Sequence, residues 1–260
     1  MTSSFTHEYD KNLTADKFVN CYYFRELNSL VHGFSLKMMI DHVQTLSLTP
    51  IKTVLDVGCG EGFMTRKLVR DDIVQSAIGI DVSTDMIQLA KNAIQEHEKE
   101  YLQYHFIDAE DFETTTKIID KCHLVISTSM LCHMTNKDKL YQMLCLIRRL
   151  CTGFFVGLIP NPFFDPSNTE KLNKYGITFI NPPSFSDEEN YFVTLDTNTD
   201  NEFTLSAVWY TAETYRSLFR KAGFVTFECV PLKIDPTVPK GRREYIADAC
   251  LRDIGFIASV

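Results

Sequence analysis

The sequence predicts an α/β protein in which a doubly wound sheet of mostly parallel strands is covered by helices on both faces. Two observations carry this prediction. Short runs of β-branched and aliphatic residues alternate five times with segments whose apolar residues recur at helical spacing. The first of these runs ends in a glycine-rich turn, as a buried parallel strand does when it leads into a helix. The length of 260 residues is ordinary for one such domain.

The composition is that of a folded protein with an acidic surface. Hydrophobic residues make up 45% of the chain and charged residues 23%, which leaves enough apolar surface for a sizeable core. The formal net charge is −8, whereas a protein that binds nucleic acid usually presents a basic face to the phosphates. The same acidity disfavours anionic membrane surfaces. We therefore expect no nucleic acid and no membrane among the partners.

The cysteines and the N-terminus indicate the compartment. Eight cysteines are spread over the chain, most of them within apolar runs and none in a CxxC pair. This pattern favours buried free thiols over disulfides, and no ligand spacing typical of zinc is present, so we expect no metal. The polar first residues lack the apolar core of a signal peptide, and no run approaches the ~20 apolar residues that cross a bilayer. These features predict a cytoplasmic protein.

The first 160 residues supply five strands that alternate with helices. A helix comes first, predicted by apolar residues at helical spacing: Leu36, Met39, Ile40, Val43 and Leu46. Another helix follows the glycine-rich turn, and Ser83 is a favourable N-cap for the helix after the second strand. The strands are expected at residues 53–58, 76–81, 101–108, 124–127 and 153–159.

Residues 160–210 interrupt this alternation. Five prolines in this stretch exclude long regular elements. Residues 191–195 and 203–210 resemble strands, and we predict that they form a hairpin or a small added sheet. Thr211 then caps a helix that ends at Gly223. The last two strands of the main sheet are expected at residues 224–232 and 254–260.

The most informative stretch is the glycine-rich turn, VLDVGCGEG at residues 54–62. Gly58, Gly60 and Gly62 follow a strand and open a helix, so the backbone can turn sharply and lie against a ligand. The N-terminus of the helix offers free N–H groups that suit a carboxylate or a phosphate. A dinucleotide site usually has the spacing GxGxxG, and Phe63 stands where its third glycine would be. The spacing therefore counts against NAD.

Two carboxylates follow the glycine turn at the ends of the next two strands. Asp81 lies 21 residues past Gly60, where an acid can accept both hydroxyls of a ribose. Asp108 ends the third strand and can accept a hydrogen bond from an adenine amine, while Met86 can pack on the adenine face. Each of these residues alone has a structural explanation, as a turn, a cap or a core methionine. Their joint order along one sheet edge indicates a nucleoside-binding site.

These motifs together resemble the class I methyltransferases that use S-adenosylmethionine (SAM). VLDVGCGEG is similar to their first motif, GIDVSTDMIQLA to their second, HFIDAED to their third, and LVISTSMLCHM to the strand and loop that follow. The resemblance covers residues 52–160. It implies a Rossmann-like, mostly parallel sheet of seven strands and SAM as the cofactor.

The resemblance also implies which residues hold SAM. Asp56 and the three glycines would line its methionine end, Asp81 would hold the ribose, and Met86, Asp108 and Ala109 would surround the adenine. Further cofactor contacts are expected from Val82, Glu110, Ser127, Tyr22 and Arg25. In related enzymes the N-terminal segment often acts as a lid.

A narrower resemblance concerns the second half of the chain. NPFFDP at 161–166, KYGI at 174–177, YTAETYRSLFRKAGF at 210–224 and PLKIDP at 231–236 are similar to toxoflavin-synthase-like methyltransferases, which methylate ring nitrogens of small heterocycles. We expect one domain over residues 1–260. Its parts are a helical lid at 1–50, the SAM-binding core at 51–160, a substrate cap at 161–210 and the rest of the sheet at 211–260.

The resemblance predicts in-line methyl transfer to a small planar molecule, the partner of this site. Such transfer needs alignment of the reactants, and a general base only if the nucleophile carries a proton. The candidate catalytic residues are His133, on the loop after the fourth strand, and Tyr175, in the cap. The structural alternative for His133 is a histidine at the start of a helix that hydrogen-bonds to the backbone. The alternative for Tyr175 is an aromatic residue that only forms part of a turn. The cap is rich in aromatic rings that suit a flat heterocycle: Phe163, Phe164, Tyr175, Phe179, Phe185, Tyr191 and Phe192.

Several alternatives stay open from the sequence. The chain can be an O-methyltransferase of a small metabolite, a catalytically silent SAM-binding protein that regulates a partner, or an NAD enzyme of similar sheet. It can be a monomer or a homodimer. Methyltransferases that act on DNA amino groups carry an Asn-Pro-Pro-aromatic motif after strand four, where this chain has Ser127-Thr128-Ser129-Met130. The similar Asn181-Pro182-Pro183-Ser184 comes after strand five and lacks the aromatic residue, so we interpret it as a proline loop.

Overall fold

The strands and helices follow the predicted alternation. The structure is a computed structural model that describes Lys17, Asn20, Cys21 and residues 28–108, 112–180 and 184–260. The strands are β1 (Thr53–Val57), β2 (Ser76–Asp81), β3 (Leu102–Phe106), β4 (Cys122–Thr128), β5 (Cys151–Pro160), β6 (Thr178–Ile180), β7 (Glu189–Leu195), β8 (Phe203–Trp209), β9 (Thr226–Val230) and β10 (Asp253–Ser259). The α-helices are α1 (Phe34–Leu46), α2 (Phe63–Arg70), α3 (Thr84–Asn92), α4 (Phe112–Ile118), α5 (Lys137–Leu150), α6 (Ala212–Lys221) and α7 (Lys240–Ile246).

The main sheet has seven strands in the order β3-β2-β1-β4-β5-β10-β9. The strands from β3 to β5 are parallel, and β10 runs antiparallel to both of its neighbours. The predicted Rossmann-like sheet is therefore confirmed. Chain order reverses between β1 and β4, and ligands of such sheets bind at that reversal, outside the carboxyl ends of the strands.

Two layers of apolar side chains hold the helices to the two faces of this sheet. Successive residues of β1 belong to different layers, because side chains alternate along a strand. Val54 belongs to the layer that includes buried residues of α1, α2 and α3, whereas Leu55 belongs to the layer that includes residues of α5 and α6. Both residues are fully buried. The sheet is thus covered on both sides, as a parallel sheet requires.

The predicted caps and the first helix are observed with one difference. Ser83 caps α3 by accepting a hydrogen bond from the Met86 N–H at 3.3 Å, and Thr211 caps α6 in the same way. In α1 the predicted apolar face is buried except for Leu46, which is 57% exposed in the last turn. This helix lies against β5 and β10, so it packs on the sheet. A lid role for the N-terminal segment stays a prediction.

A second sheet, β6-β7-β8, is built from the interrupting segment. Its strands are antiparallel, and the predicted hairpin corresponds to β7 and β8. The short strand β6 and the 3₁₀ turns at Pro166–Tyr175 were not predicted from the sequence. Along β7 burial alternates, with Tyr191 and Val193 buried and Phe192 47% exposed. One face of the small sheet is therefore turned inward.

Candidate cofactor and acceptor site

A cavity of about 420 Å³ lies at the edge where the parallel strands end. The turn after β1, the ends of β2, β4 and β5, and the residues just after β3 line one side. Residues of β7 and β8 also line the cavity, together with His32 and the start of β10. The predicted cofactor turn and the predicted cap thus border one space.

The glycines of the turn have different positions relative to this cavity. Gly58 and Gly60 line it, while Gly62 does not. Gly60 has φ +55°, and a Cβ built there would meet no atom within 4 Å, so it would stand in open space at the cavity wall. Gly62 has φ +76°, and a Cβ there would lie 2.5 Å from the Tyr104 hydroxyl oxygen. Gly60 thus keeps the cavity open, whereas Gly62 allows α2 to begin against Tyr104.

Asp81 fixes the turn while facing the cavity. Its Oδ2 accepts a hydrogen bond from the Gly60 N–H at 2.8 Å, and its Oδ1 accepts one from the Ser83 N–H at 2.9 Å. Val82 and Met86 also line the cavity beside it. The carboxylate at the end of β2 therefore lies where the sequence predicts it.

Asp108 lines the cavity next to Ile107, two residues beyond the end of β3. The Ile107 N–H donates to the Asp81 carbonyl at 3.0 Å, which keeps the two carboxyl-bearing strand ends adjacent. Four other predicted cofactor residues, Tyr22, Arg25, Ala109 and Glu110, lie outside the described residues, as does the Asn181-Pro182-Pro183 loop.

Asp56 and Ser127 differ from the prediction, because neither side chain lines the cavity. Asp56 is fully buried behind the turn, where its Oδ2 accepts a hydrogen bond from the Thr65 hydroxyl at 2.6 Å. Burial raises the pKa of Asp56 to about 7, against the opposing effect of that hydrogen bond. Among the described residues, Asp56 Oδ1 and Ser127 Oγ have no hydrogen-bond partner. Both side chains lie behind the residues that line the cavity.

The two predicted catalytic residues lie in different places. His133 lines the cavity at the end of a 3₁₀ turn, Leu131–His133, that follows β4. Tyr175 does not line the cavity. Its hydroxyl donates to the Tyr245 carbonyl, and the two rings meet edge to face with centroids 5.4 Å apart. Because its hydroxyl is bound away from the cavity, the prediction of a catalytic Tyr175 is corrected.

An aromatic wall lines part of the same cavity as the glycine turn. It consists of Phe164, Phe179, Tyr191 and Trp209, which are all buried and all line the space. Their rings form a chain of contacts with centroids 5.9 to 6.2 Å apart. Four predicted rings do not line the cavity. Phe163 and Phe192 are exposed, Phe185 packs against Trp209, and Tyr175 contacts Tyr245 as described above.

Sequence reasoning missed several polar residues that line the cavity. Asp253, Arg252 and His32 line the cavity, and so do Asn190 and Ser206. Asp253 is the first residue of β10 and pairs in register with Pro160, the last residue of β5. Because β10 is antiparallel, its first residue lies at the edge where β5 ends. An acid just before an apolar strand was the available signal, but the strand direction was needed to interpret it.

Disulfides and metal clusters are not found among the described residues. None of the eight cysteines forms a disulfide. Within the described ranges, no group of three or more His, Cys, Asp or Glu side chains could hold a metal ion. No helix in the same ranges is both long and apolar enough to span a membrane.

Comparison with known proteins identifies the class that this fold and site define. The chain matches a family of methyltransferase domains over residues 48–222, about two thirds of its length. It belongs to this family and is a class I SAM-dependent methyltransferase. The toxoflavin-synthase-like group is not distinguished by this match.

Solved structures share the fold at low sequence identity. A SAM-dependent methyltransferase from Clostridium acetobutylicum ATCC 824 is 14% identical, with a TM-score of 0.61 over 94% of this chain and 98% of that one. Magnesium protoporphyrin IX methyltransferase from Synechocystis PCC 6803, solved with bound SAH (S-adenosylhomocysteine), is 13% identical, with a TM-score of 0.58 over 96% of each chain.

A curated relative matches a shorter stretch. The mitochondrial ubiquinone biosynthesis O-methyltransferase of Candida albicans is 39% identical over 67 residues, which are 25% of this chain. The match spans 20% of the relative's own length.

The residues on the donor side of the cavity fit SAM. Gly60 leaves open space at the wall, and Asp81 and Asp108 present carboxylates that can accept hydrogen bonds from hydroxyl and amine groups. Met86 and Ile107 add apolar surface between them. SAM is the cofactor of this methyltransferase domain, and these residues are able to hold it.

Proposed function

We propose that the enzyme transfers a methyl group from SAM to a ring nitrogen of a small flat heterocycle. The observation that carries this proposal is the aromatic wall, which lines the same cavity as the glycine turn and Asp81. Planar rings suit such walls because aromatic side chains stack on them and exclude water. The narrower family resemblance points to the same acceptors.

The protein itself binds the methyl donor and the acceptor, orients them and shields them from water. When bound, SAM supplies an activated methyl: the bond from carbon to the ring nitrogen forms as the bond to sulfur breaks, and sulfur keeps the electron pair. Asp81 and the glycine turn hold the donor, and Tyr191 and Trp209 orient the acceptor across from it. His133 lies at the wall and can take the proton that an N–H acceptor releases.

O-methylation of a small metabolite is the second candidate. It is favoured by the curated relative, whose name is that of an O-methyltransferase. The same cavity suits it, because a phenol is as flat as a heterocycle. The two candidates differ in the atom that is methylated.

The test uses two neighbouring positions on β7. Tyr191 lines the cavity, whereas Phe192 is 47% exposed on the opposite face of the same strand. The wild type is incubated with SAM and matched panels of N–H heterocycles and phenols, and SAH and methylated products are measured by mass spectrometry. We expect N-methyl products, a loss of turnover with unchanged SAH binding in Tyr191→Leu, and normal turnover in Phe192→Leu.

Other outcomes separate the candidates. Products methylated only on oxygen would replace the first candidate by the second. SAH binding without transfer to any panel member would contradict both. Equal losses in Tyr191→Leu and Phe192→Leu would mean that the wall acts through folding alone.

A further inference from the structure

A buried ionic cluster forms part of the acceptor side of the cavity. It consists of Asp253, Arg252 and His32, which come from the start of β10, the residue before it and the turn that leads into α1. Asp253 is 3% exposed and His32 is also 3% exposed. A charged group is costly to bury unless it is paired, so this cluster has to be explained by its contacts.

The contacts of the cluster converge on one carboxylate oxygen. Asp253 Oδ2 lies 2.7 Å from Arg252 Nη2, 3.1 Å from Arg252 Nε and 3.2 Å from His32 Nε2. None of the described residues donates a hydrogen bond to the other oxygen, Oδ1. A carboxylate has about four acceptor positions over its two oxygens, so acceptor capacity is left at a residue that lines the cavity.

The neighbours of Asp253 keep it ionised. Burial alone would raise the pKa of this carboxyl, but the Arg252 guanidinium and the His32 imidazole lower it to about 2. A carboxylate of that pKa is a poor general base at neutral pH. What it offers is a full negative charge that attracts hydrogen-bond donors and repels anions.

We propose that Asp253 Oδ1 accepts a hydrogen bond from the methyl acceptor, which is a flat aromatic molecule with an N–H or O–H at its rim and no anionic group there. This inference rests on the proposed function. Tyr191 and Trp209 cover the ring faces, and Asp253 binds the edge. A site that hydrogen-bonds an N–H or O–H rejects the analogue that lacks it, because the Oδ1 acceptor is then covered by the ligand without a hydrogen bond.

A purely structural role is the competing explanation. On that view Asp253 only pairs with Arg252 and His32, and the cavity has no preference for donors. Exchange to asparagine separates the two views. In Asp253→Asn the amide oxygen would turn to Arg252 and His32, which leaves the NH₂ group at the position of Oδ1. A preference for donors would then be lost or reversed.

The experiment measures the binding of matched probes to protein saturated with SAH. The probes are indole with 1-methylindole and 2-naphthol with 2-methoxynaphthalene, and their affinities are measured by ligand-observed NMR titration. In the wild type we expect each donor to bind about 10- to 100-fold more tightly than its methylated partner, the range of a hydrogen bond to a charged group. In Asp253→Asn the ratio should fall to about threefold or less, with unchanged SAH affinity.

A matched control removes the other member of the His32–Asp253 pair. His32→Gln removes the imidazole but keeps the carboxylate, so the preference for donors should persist even if the melting temperature falls. Loss of the preference in both variants would assign the effect to packing and overturn the inference.

The wild-type comparison decides the matter even if Asp253→Asn does not fold. Equal binding within each pair, or no binding of any probe while SAH binds, would overturn the role of Asp253 and leave SAM-dependent catalysis standing. Persistence of the preference in Asp253→Asn would also overturn it. Failure of the wild type to bind SAH would instead contradict the proposed function itself.

Discussion

The carboxylate of Asp81 accepts a hydrogen bond from the backbone N–H of Gly60 at 2.8 Å, although the two residues are 21 positions apart. The contact joins the end of β2 to the turn after β1. Asp81 also lines the cavity. One side chain therefore both shapes the glycine turn and faces the ligand.

Replacing Asp81 should weaken cofactor binding. In Asp81→Ala the ribose hydroxyls lose a charged acceptor, and hydrogen bonds to charged groups contribute about 1.5–3 kcal/mol each. We expect the affinity for SAH, measured by calorimetry, to fall at least about tenfold. Asp85→Ala, at an exposed acid in the first turn of α3, is the control and should keep wild-type affinity. A change below about threefold in Asp81→Ala would remove Asp81 from the ribose site.

Two glycine variants should differ in their main effect, one on SAH affinity and the other on stability. Gly60→Ala places a methyl group in open space at the cavity wall, so SAH affinity should fall while the free energy of unfolding drops only by the roughly 1–2 kcal/mol of left-handed strain. Gly62→Ala forces a methyl group against Tyr104, so its main effect should be a larger loss of stability. Urea unfolding and SAH titration of both variants measure this. The idea fails if Gly60→Ala binds SAH normally.

Asp56 should make stability depend on pH. Its folded pKa of about 7 lies above the ordinary aspartate value of 3.8, so between about pH 4 and 7 the unfolded chain releases a proton that the folded chain retains. The free energy of unfolding should therefore fall as pH rises through this window. From pH 5 to 8 this contribution is about 2–3 kcal/mol.

The variant Asp56→Asn should lose this contribution, as measured by urea unfolding at pH 5, 6, 7 and 8. Asp138→Asn, at an exposed acid in α5, is the control and should keep the wild-type slope. Identical slopes in Asp56→Asn and the wild type would mean that Asp56 does not titrate in this range.

Tyr175→Phe should affect stability and leave catalysis unchanged. The Tyr175 hydroxyl is bound to the Tyr245 carbonyl outside the cavity. Its loss should lower the free energy of unfolding by about 1 kcal/mol, while methyl transfer stays within about twofold of the wild type. Unchanged SAH binding with strongly reduced transfer would restore Tyr175 as a catalytic residue.

Local patterns predicted the donor side of the molecule well. The strands β1 to β5, the caps at Ser83 and Thr211 and the position of Asp81 follow from periodicity and turn chemistry within short windows. The acid of motif one shows the limit of such windows. Asp56 is next to the cavity in sequence, but the alternation of β1 turns its side chain into the core.

The acceptor side depends on contacts between distant segments, which no local pattern records. Asp253 and His32 are 221 positions apart, and they meet only because β10 inserts antiparallel beside β5. Tyr175 is an example of the opposite error. Its position in an aromatic cap suggested the cavity, but its partner Tyr245 comes from α7, an element that the sequence analysis did not predict.

The cavity is lined by two different sheets, so its two halves can change independently in evolution. The predicted donor residues lie on the turns of the seven-stranded sheet, whereas Tyr191 and Trp209 of the aromatic wall lie on β7 and β8 of the small sheet. Exchanges at Tyr191, Val193, Leu205 or Ala207 can reshape the acceptor space without moving a residue of the glycine turn. A lineage can therefore change what it methylates by small steps on one hairpin while the methyl donor remains the same.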